Sequence, residues 1–240
     1  MKKQLLLAHR GYCAIAPENT KLAFDTALLF GFDGVEFDVH QTKDYELVII
    51  HDENTKRTAK MDKIIANTNY HDLVNLDYSS CFKISTPAQK LLTLKDFLDL
   101  YANQDGFKVI NIEIKTDVIQ YENIEQRIND LCIQYPGLEQ KVIFSSFNFN
   151  SLKRLKAINP KWKLGFLFWT KTQLLSVSKK EVLSTVDYLH PWTKIYYQHK
   201  DLINSYNLLL NLWTIKSEKE YRSFLNDQNV YSQISNYKFK

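Results

Sequence analysis

Short apolar runs alternate along the whole chain with amphipathic segments, and this rhythm limits the possible folds more than any other feature. Eight of the runs have the length of buried strands. Strands that alternate with helices form a parallel sheet covered by helices. Eight such units in 240 residues match the usual size of a closed (β/α)8 barrel. The predicted strands are residues 5–8, 34–39, 109–115, 142–147, 163–168, 186–190, 208–215 and 230–236.

The segments between these strands have the apolar periodicity of helices. Asn19 is expected to be the N-cap of the first helix. Because barrels of this length form one unit, we predict a single α/β barrel domain over residues 1–240. The predicted helices are residues 20–30, 94–101, 121–133, 149–157, 181–185, 200–206 and 218–226.

A ninth strand-like run, residues 46–50, follows the second strand too closely for a helical crossover. We therefore predict a hairpin with its turn at Asp44-Tyr45, although Tyr45 is unusual where a turn needs a positive φ. This register places Asp38 opposite His51. Residues 59–89 after the hairpin are expected to form a short insertion that caps the pocket.

Charged side chains lie near the carboxyl ends of several predicted strands, where the rest of each run is apolar. Glu36 and Asp38 point to the same side because strand side chains alternate, and so do Glu113 and Lys115. The carboxyl ends of barrel strands meet at one rim, where catalytic groups converge. The charged groups at these ends are His9, Arg10, Glu36, Asp38, His51, Asp52, Glu113 and Lys115.

Three of the four carboxylates among these groups together predict a site for one divalent cation. Glu36, Asp38 and Glu113 offer the oxygen ligands that Mg²⁺ or Ca²⁺ prefers, whereas zinc prefers His and Cys. Ion pairing of these carboxylates without a metal is the alternative.

The remaining charged groups suit phosphoester chemistry. His9 and His51 can divide the general-acid and general-base duties, and Arg10 and Lys115 supply fixed positive charge for a phosphodiester. His40, His71, His190 and His199 have no such context and are expected to be structural or solvated.

Composition excludes several other classes of function. The net charge of +4, from 31 basic and 27 acidic residues, is too weak and too dispersed for a nucleic-acid-binding surface but suits an anionic substrate. Cys13, Cys81 and Cys132 show no metal-binding spacing, which favours a reduced, cytoplasmic protein. The apolar run before His9 is too short for a signal peptide, and no stretch is long enough for a stable membrane insertion.

An ordered set of motifs strongly resembles the glycerophosphodiester phosphodiesterase family over nearly the whole chain. No single motif in it is specific, but the set is. The motifs are His9-Arg10-Gly11, Pro17-Glu18-Asn19-Thr20 with Ala23-Phe24 and Ala27, Glu36-x-Asp38-Val39, Thr42-x-Asp44, His51-Asp52 with Arg57-Thr58, Glu113-Ile114-Lys115, Ser146-Phe147 and Trp213-Thr214-Ile215.

The resemblance implies a TIM-type barrel that uses a divalent cation to hydrolyse small glycerophosphodiesters to glycerol 3-phosphate and an alcohol. By position in these motifs it assigns His9 and His51 as the acid/base pair, with Arg10 and Lys115 as phosphate contacts. It further implies three metal ligands, which are Glu36, Asp38 and Glu113. It also implies that two aromatic residues, Phe147 and Trp213, line the substrate pocket. Glu18 and Arg57 are expected to support the site.

The chain departs from the family in its last strand, where Gly-x-Asp-Gly and Thr-Asp-x-Pro are usual. Here residues 229–238 read Asn-Val-Tyr-Ser-Gln-Ile-Ser-Asn-Tyr-Lys, and no final helix is expected after them. Two alternatives stay open. One is a related lipid phosphodiesterase of the lysophospholipase D or phospholipase C type; the other is a catalytically silent barrel that binds a phosphorylated ligand.

Overall fold

A computed structural model describes residues 4–103 and 106–239. In this part of the chain eight parallel strands close into a barrel in the order β1-β9-β8-β7-β6-β5-β4-β2, and β2 pairs with β1 again. The third strand, β3, pairs antiparallel with β2 at the rim. The strands are β1 (Leu5–His9), β2 (Gly34–Gln41), β3 (Leu47–Ile49), β4 (Val109–Ile114), β5 (Val142–Ser146), β6 (Lys163–Phe168), β7 (Tyr188–Pro191), β8 (Leu209–Ile215) and β9 (Val230–Ser235).

Helices connect the parallel strands, and several begin at a side-chain cap that the sequence supplies. Thr93 caps α3 in a reciprocal capping box with Asp96. None of the helices in the described residues is both long enough and apolar enough to cross a membrane. The helices are α1 (Lys21–Leu29), α2 (Lys56–Ala59), α3 (Leu94–Tyr101), α4 (Ile124–Cys132), α5 (Phe149–Ile158), α6 (Lys171–Leu175), α7 (Lys179–Thr185), α8 (Thr193–Gln198), α9 (Lys200–Asn204) and α10 (Glu218–Phe224).

The predicted (β/α)8 barrel is confirmed. All eight predicted barrel strands are present, including the last one, which pairs with both β1 and β8 although its sequence departs from the family. Three short helices, α2, α6 and α8, were not predicted. Each has only four to six residues, too few for a helical period to show in the sequence.

The predicted hairpin of β2 and β3 is confirmed, but its predicted register is wrong by one residue. The backbone N–H of Ile50 donates to the carbonyl of Asp38 at 3.1 Å, so Ile50 and not His51 lies opposite Asp38. The turn contains three residues instead of two, because the N–H of Thr42 bonds the carbonyl of Glu46. Tyr45 takes the positive φ, 69°, that this longer turn requires.

The strand β2 is buried on both faces. Its side chains point alternately to the main core and to the barrel interior, where the candidate site lies. Val35, Phe37 and Val39 belong to the main core between the sheet and the helices. Glu36 and Asp38 therefore point to the opposite face, into the barrel. The main core includes a cluster of edge-to-face and tilted rings, Phe24, Phe37, Phe97 and Tyr101.

The bottom of the barrel is filled by a separate apolar cluster formed by Leu7, Val109, Ile143 and Ile234. Leu7 lies two residues before His9 and hence on the same face of β1. Apolar side chains therefore close the barrel below, and polar side chains gather at the carboxyl-terminal rim.

Residues 59–89 lie at the side of the barrel next to β3. They cover Val48 and Ile50 with a second small core. Residues of this segment line a side cavity of about 270 Å³ next to Glu18 and Arg57. The main cavity at the rim is lined by other parts of the described chain.

Candidate active site

A cavity of about 400 Å³ opens at the carboxyl ends of the barrel strands. It brings together all the sequence-predicted site residues except Asp38, which lies buried beside it. Its lining comprises His9, Arg10, Glu36, His51, Glu53, Asn111, Glu113, Lys115, Asp117, Phe147, Leu167, Trp169, Trp213, Thr214 and Ile234.

Three carboxylates form a compact buried group at the edge of this cavity. Glu36 and Asp38 come from β2, and Glu113 comes from β4, where it pairs in register with Asp38. One oxygen of each lies within 4.8 Å of the others. Neighbouring parallel strands therefore supply the whole group.

These three carboxylates repel one another, and their surroundings shift the pKa values of Glu36 and Asp38 in opposite directions. Burial, and then the charges of Asp38 and Glu113, raise the pKa of Glu36 well above its usual value. Asp38 behaves in the opposite way: although burial acts against ionisation, the Arg10 guanidinium holds the pKa of Asp38 well below its usual range. The Arg10 Nε atom lies 3.6 Å from Asp38 Oδ2, and the amide of Asn19 donates to that oxygen at 3.0 Å.

Lys115 only partly offsets the burial of the third carboxylate, Glu113, because burial still raises the pKa of Glu113. The Lys115 Nζ atom donates to Glu113 Oε1 at 2.9 Å. The two residues are two positions apart, so their side chains point to the same side of the chain. Burial opposes the charge on Lys115, but Glu113 and Asp38 outweigh it and raise the pKa of Lys115. Lys115 is thus a permanent cation beside the carboxylate group.

A sharp bend after β1 directs Arg10 at the carboxylates. Arg10 and Gly11 both have a positive φ, 55° and 75°, and a Cβ atom on Gly11 would lie 2.6 Å from the Cβ atom of Ala23. Glycine is therefore required at position 11. The bend lets the backbone N–H of Arg10 donate to Glu36 Oε2 at 3.1 Å.

His9 lies at the end of β1 between two elements. Its Nδ1 atom is 2.6 Å from the amide oxygen of Asn236, just after β9, and its Nε2 atom is 3.8 Å from Glu36 Oε2. Burial, aided by the positive charge of Arg10, lowers the pKa of His9 to about 4. His9 is therefore a neutral imidazole in these surroundings.

His51 faces the cavity from the segment just after β3 and has a different partner. Its Nδ1 atom lies 2.7 Å from Asp52 Oδ1. Asp52 in turn accepts hydrogen bonds from Arg57. One histidine is thus held by an amide and the other by a carboxylate.

An aromatic wall of three residues, Phe147, Trp169 and Trp213, lines part of the cavity. Phe147 stacks on Trp169 with ring centroids 4.9 Å apart, and Trp213 packs edge-on against both rings. Trp213 is anchored because its Nε1–H donates to the carbonyl of His190 at 2.7 Å. Trp169 is 47% exposed, which leaves a large apolar surface at the mouth.

Sequence reasoning missed three residues of this arrangement. Asn19 was expected to cap the first helix, but that prediction is wrong: Thr20 caps α1 and Asn19 turns back to Asp38 with φ 58°. Asn236 directly follows β9, in the segment whose sequence departs from the family, and Trp169 stands outside every motif. For Asn19 the signal was present, since it belongs to the motif that contains Pro17 and Glu18.

The donor set fits a hard divalent cation. The three clustered side chains are all carboxylates, whose oxygens are the ligands that Mg²⁺ and Ca²⁺ take. Only two cations, Arg10 and Lys115, contact this cluster in the described structure. When all three carboxylates are ionised, three negative charges against two positive ones leave an excess that a bound cation would neutralise.

Comparisons with known proteins agree with this geometry. The family model described as the glycerophosphoryl diester phosphodiesterase family matches residues 9–237. An uncharacterized protein of Mycoplasma genitalium, MG293, is 51% identical and covers 99% of this chain and 97% of its own length. A glycerophosphodiester phosphodiesterase of Caldanaerobacter subterraneus is 36% identical over 69% of this chain and 67% of its own.

Solved structures show the same fold. A glycerophosphodiester phosphodiesterase from Thermotoga maritima superposes with a TM-score of 0.76 at 25% identity, over 98% of this chain and 96% of its own. An Oleispira antarctica phosphodiesterase, solved with the product sn-glycerol-3-phosphate, superposes with a TM-score of 0.83 at 24% identity, over 98% and 94%. With its family match over nearly its full length, this chain belongs to the glycerophosphoryl diester phosphodiesterase family of enzymes.

Proposed function

We propose that this barrel hydrolyses small glycerophosphodiesters to glycerol 3-phosphate and an alcohol, with one divalent cation, Mg²⁺ or Ca²⁺. The observation that carries the proposal is the meeting, at one rim, of three buried carboxylates with two histidines, one at the end of β1 and one just after β3. The family match and the product named for the Oleispira structure support the choice of substrate.

The phosphodiester is held by fixed charges. Glu36, Asp38 and Glu113 would hold the cation, which when bound supplies positive charge to the phosphoryl oxygens. Arg10 and Lys115 add two cations whose charge does not depend on pH in the working range. Both are already oriented by carboxylates, so little reorganisation is needed as negative charge develops on phosphorus.

The two histidines divide the proton transfers, and their hydrogen-bond partners distinguish them. His51 is held by the Asp52 carboxylate, and we assign it as the general acid that protonates the leaving alcohol. His9 is backed by the neutral amide of Asn236, so its ring stays available as the base.

The attacking oxygen comes from outside the protein. Among the described residues that line the cavity, Thr214 has the only side-chain hydroxyl, and its hydroxyl makes no hydrogen bond to either histidine in the described structure. We therefore assign the attack to the neighbouring hydroxyl of the glycerol moiety, which proximity favours over water, followed by hydrolysis of a cyclic phosphate.

The aromatic wall contacts the organic part of the substrate in this proposal. Phe147 and Trp213, with Trp169 beside them, offer an apolar surface in the cavity that also holds the carboxylate edge. The cytoplasm is the proposed location, since the three cysteines of the described structure are all free thiols.

The central test measures glycerol 3-phosphate release from a panel of glycerophosphodiesters, before and after chelation by EDTA. We expect turnover that chelation abolishes and that Mg²⁺ or Ca²⁺ restores. Full activity after exhaustive chelation would exclude the cation, and binding of the diesters without turnover would instead indicate a silent binding barrel.

A second experiment tests the route of attack. A substrate that lacks only the glycerol 2-hydroxyl cannot form the cyclic phosphate. We expect it to bind without turnover. Hydrolysis of this analogue at a rate close to that of the parent would assign the attack to water.

A further inference from the structure

A chain of charged side chains runs along the rim and joins His51 to Arg10. Its central member is Arg57, in the short helix α2. The Arg57 Nη1 and Nη2 atoms donate to the two carboxylate oxygens of Glu18, each at 2.7 Å. The Nε and Nη2 atoms of the same guanidinium donate to the two oxygens of Asp52, at 2.7 and 3.1 Å. One planar group therefore grips two carboxylates at once.

The two ends of this chain reach the cavity. At one end Asp52 accepts from the His51 ring at 2.7 Å. At the other end Glu18 accepts from Arg10 Nη1 at 3.0 Å, and Arg10 is the group that faces Asp38. The order along the rim is thus His51, Asp52, Arg57, Glu18, Arg10.

Arg57 connects two loops that are distant in the sequence. Glu18 lies between β1 and α1, whereas Asp52 follows β3, and no strand ladder pairs these two segments. Without the guanidinium, two carboxylates would face each other across the gap and repel. The contacts of Arg57, mainly that with Glu18, raise the pKa of its guanidinium. Burial acts against ionisation of Asp52, but its hydrogen bonds with His51 and Arg57 hold the pKa of Asp52 well below its usual range.

We propose that Arg57 is a positioning residue, which fixes the Asp52 carboxylate, and through it the His51 ring, in register with the Arg10 side of the site. Arg57 touches no substrate in this scheme and lines the side cavity, not the main one. The kinetic part of the inference rests on the proposed function, but the orientation of His51 does not.

Two substitutions separate the charge of Arg57 from its shape. Arg57→Met removes both, so Asp52 keeps only its contact with His51 and is free to rotate. Arg57→Lys keeps the charge, but a single ammonium cannot match the planar fork that spans both carboxylates. The side chain is 45% exposed, so neither change leaves a large buried cavity.

The experiment combines NMR of protein labelled with ¹⁵N-histidine and steady-state kinetics. His51 signals are assigned by their absence from the spectrum of His51→Gln. In the wild type we expect the His51 proton on Nδ1, and in Arg57→Met a mixture of tautomers. The kcat of Arg57→Met should fall by about 10–100-fold, the usual effect of removing a supporting partner, while KM changes little and Arg57→Lys recovers part of the loss.

A double mutant and a matched control complete the test. Asp52→Asn combined with Arg57→Met should lose no more activity than Asp52→Asn alone, because both act on the same ring. Arg222→Met removes a different arginine, bonded to Glu218 on α10 far along the chain, and should keep the wild-type kcat. Wild-type tautomer and kcat in Arg57→Met, or multiplicative losses in the double mutant, would overturn the inference. Absence of turnover in the wild type would refute the proposed function alone, and the NMR result would still decide the role of Arg57.

Discussion

Replacing Glu36 by Gln tests the electrostatics of the carboxylate group without removing any bulk. The three carboxylates place one oxygen of each within 4.8 Å of the others. At that distance two unit charges in an effective dielectric of about 20 repel by about 3.5 kcal/mol. Fully ionised Glu36 would face two such repulsions, from Asp38 and Glu113, in the metal-free protein.

Protonation of Glu36 relieves this repulsion and gives the stability a definite pH dependence. Burial and the two neighbouring carboxylates raise the pKa of Glu36 above its unfolded value of 4.5. The metal-free native state then binds a proton that the unfolded state has released, so its stability falls as pH rises above that value. One such group contributes a slope of at most about 1.4 kcal/mol per pH unit. Glu36→Gln cannot titrate, so this part of the slope should vanish.

The assay is urea denaturation of both proteins in EDTA, from about pH 5 to about pH 9, repeated with Mg²⁺ or Ca²⁺. In EDTA the variant should be the more stable protein, and its advantage should grow with pH. With the cation at about 100 times its Kd, the wild type should gain about 2.7 kcal/mol and the variant much less. Equal stabilities at every pH in EDTA, or equal gains from the cation, would refute the reasoning.

Four further substitutions address other parts of the site and its scaffold. His9→Ala and His51→Ala should each lower kcat by roughly 10²–10⁴-fold, the contribution of a positioned proton-transfer group; near-normal kcat in both would remove them from the mechanism. Gly165→Ala should destabilise the protein by about 1–3 kcal/mol in urea denaturation, because the new Cβ atom would lie 2.1 Å from Nε2 of buried His190; a stability equal to that of the wild type would show that the barrel interior can yield there. Trp169→Ala should raise KM more than it lowers kcat, since it removes wall surface and no proton-transfer group, and an unchanged KM would show that substrate does not reach this ring.

The barrel strands could be predicted because burial on both faces leaves a strong signal in the sequence. The strand β2 is the clearest case, with all eight of its residues buried. Its polar members Glu36 and Asp38 stand out because buried carboxylates need partners. The same argument predicted the cluster that now contains Glu113.

Turn geometry and isolated side chains could not be predicted in the same way. The hairpin register depends on whether Tyr45 adopts a positive φ, which side-chain type alone does not decide. Trp169 reaches the wall because β6 ends beside β5 in the barrel, so its role depends on strand order. Asn19 looked like a helix cap because Asn is a preferred N-cap residue. Its neighbour Thr20 makes that bond instead.

The position of β9 has a consequence for how the enzyme is made. The first strand, β1, pairs with β2 on one side and with β9 on the other, and β9 follows every other described strand in the chain. During translation one edge of β1 therefore stays without its β9 partner until residues 230–235 have left the ribosome. Asn236, the partner of His9, emerges later still. A ribosome-bound chain can accordingly hold most of the barrel and yet lack one contact of the candidate active site.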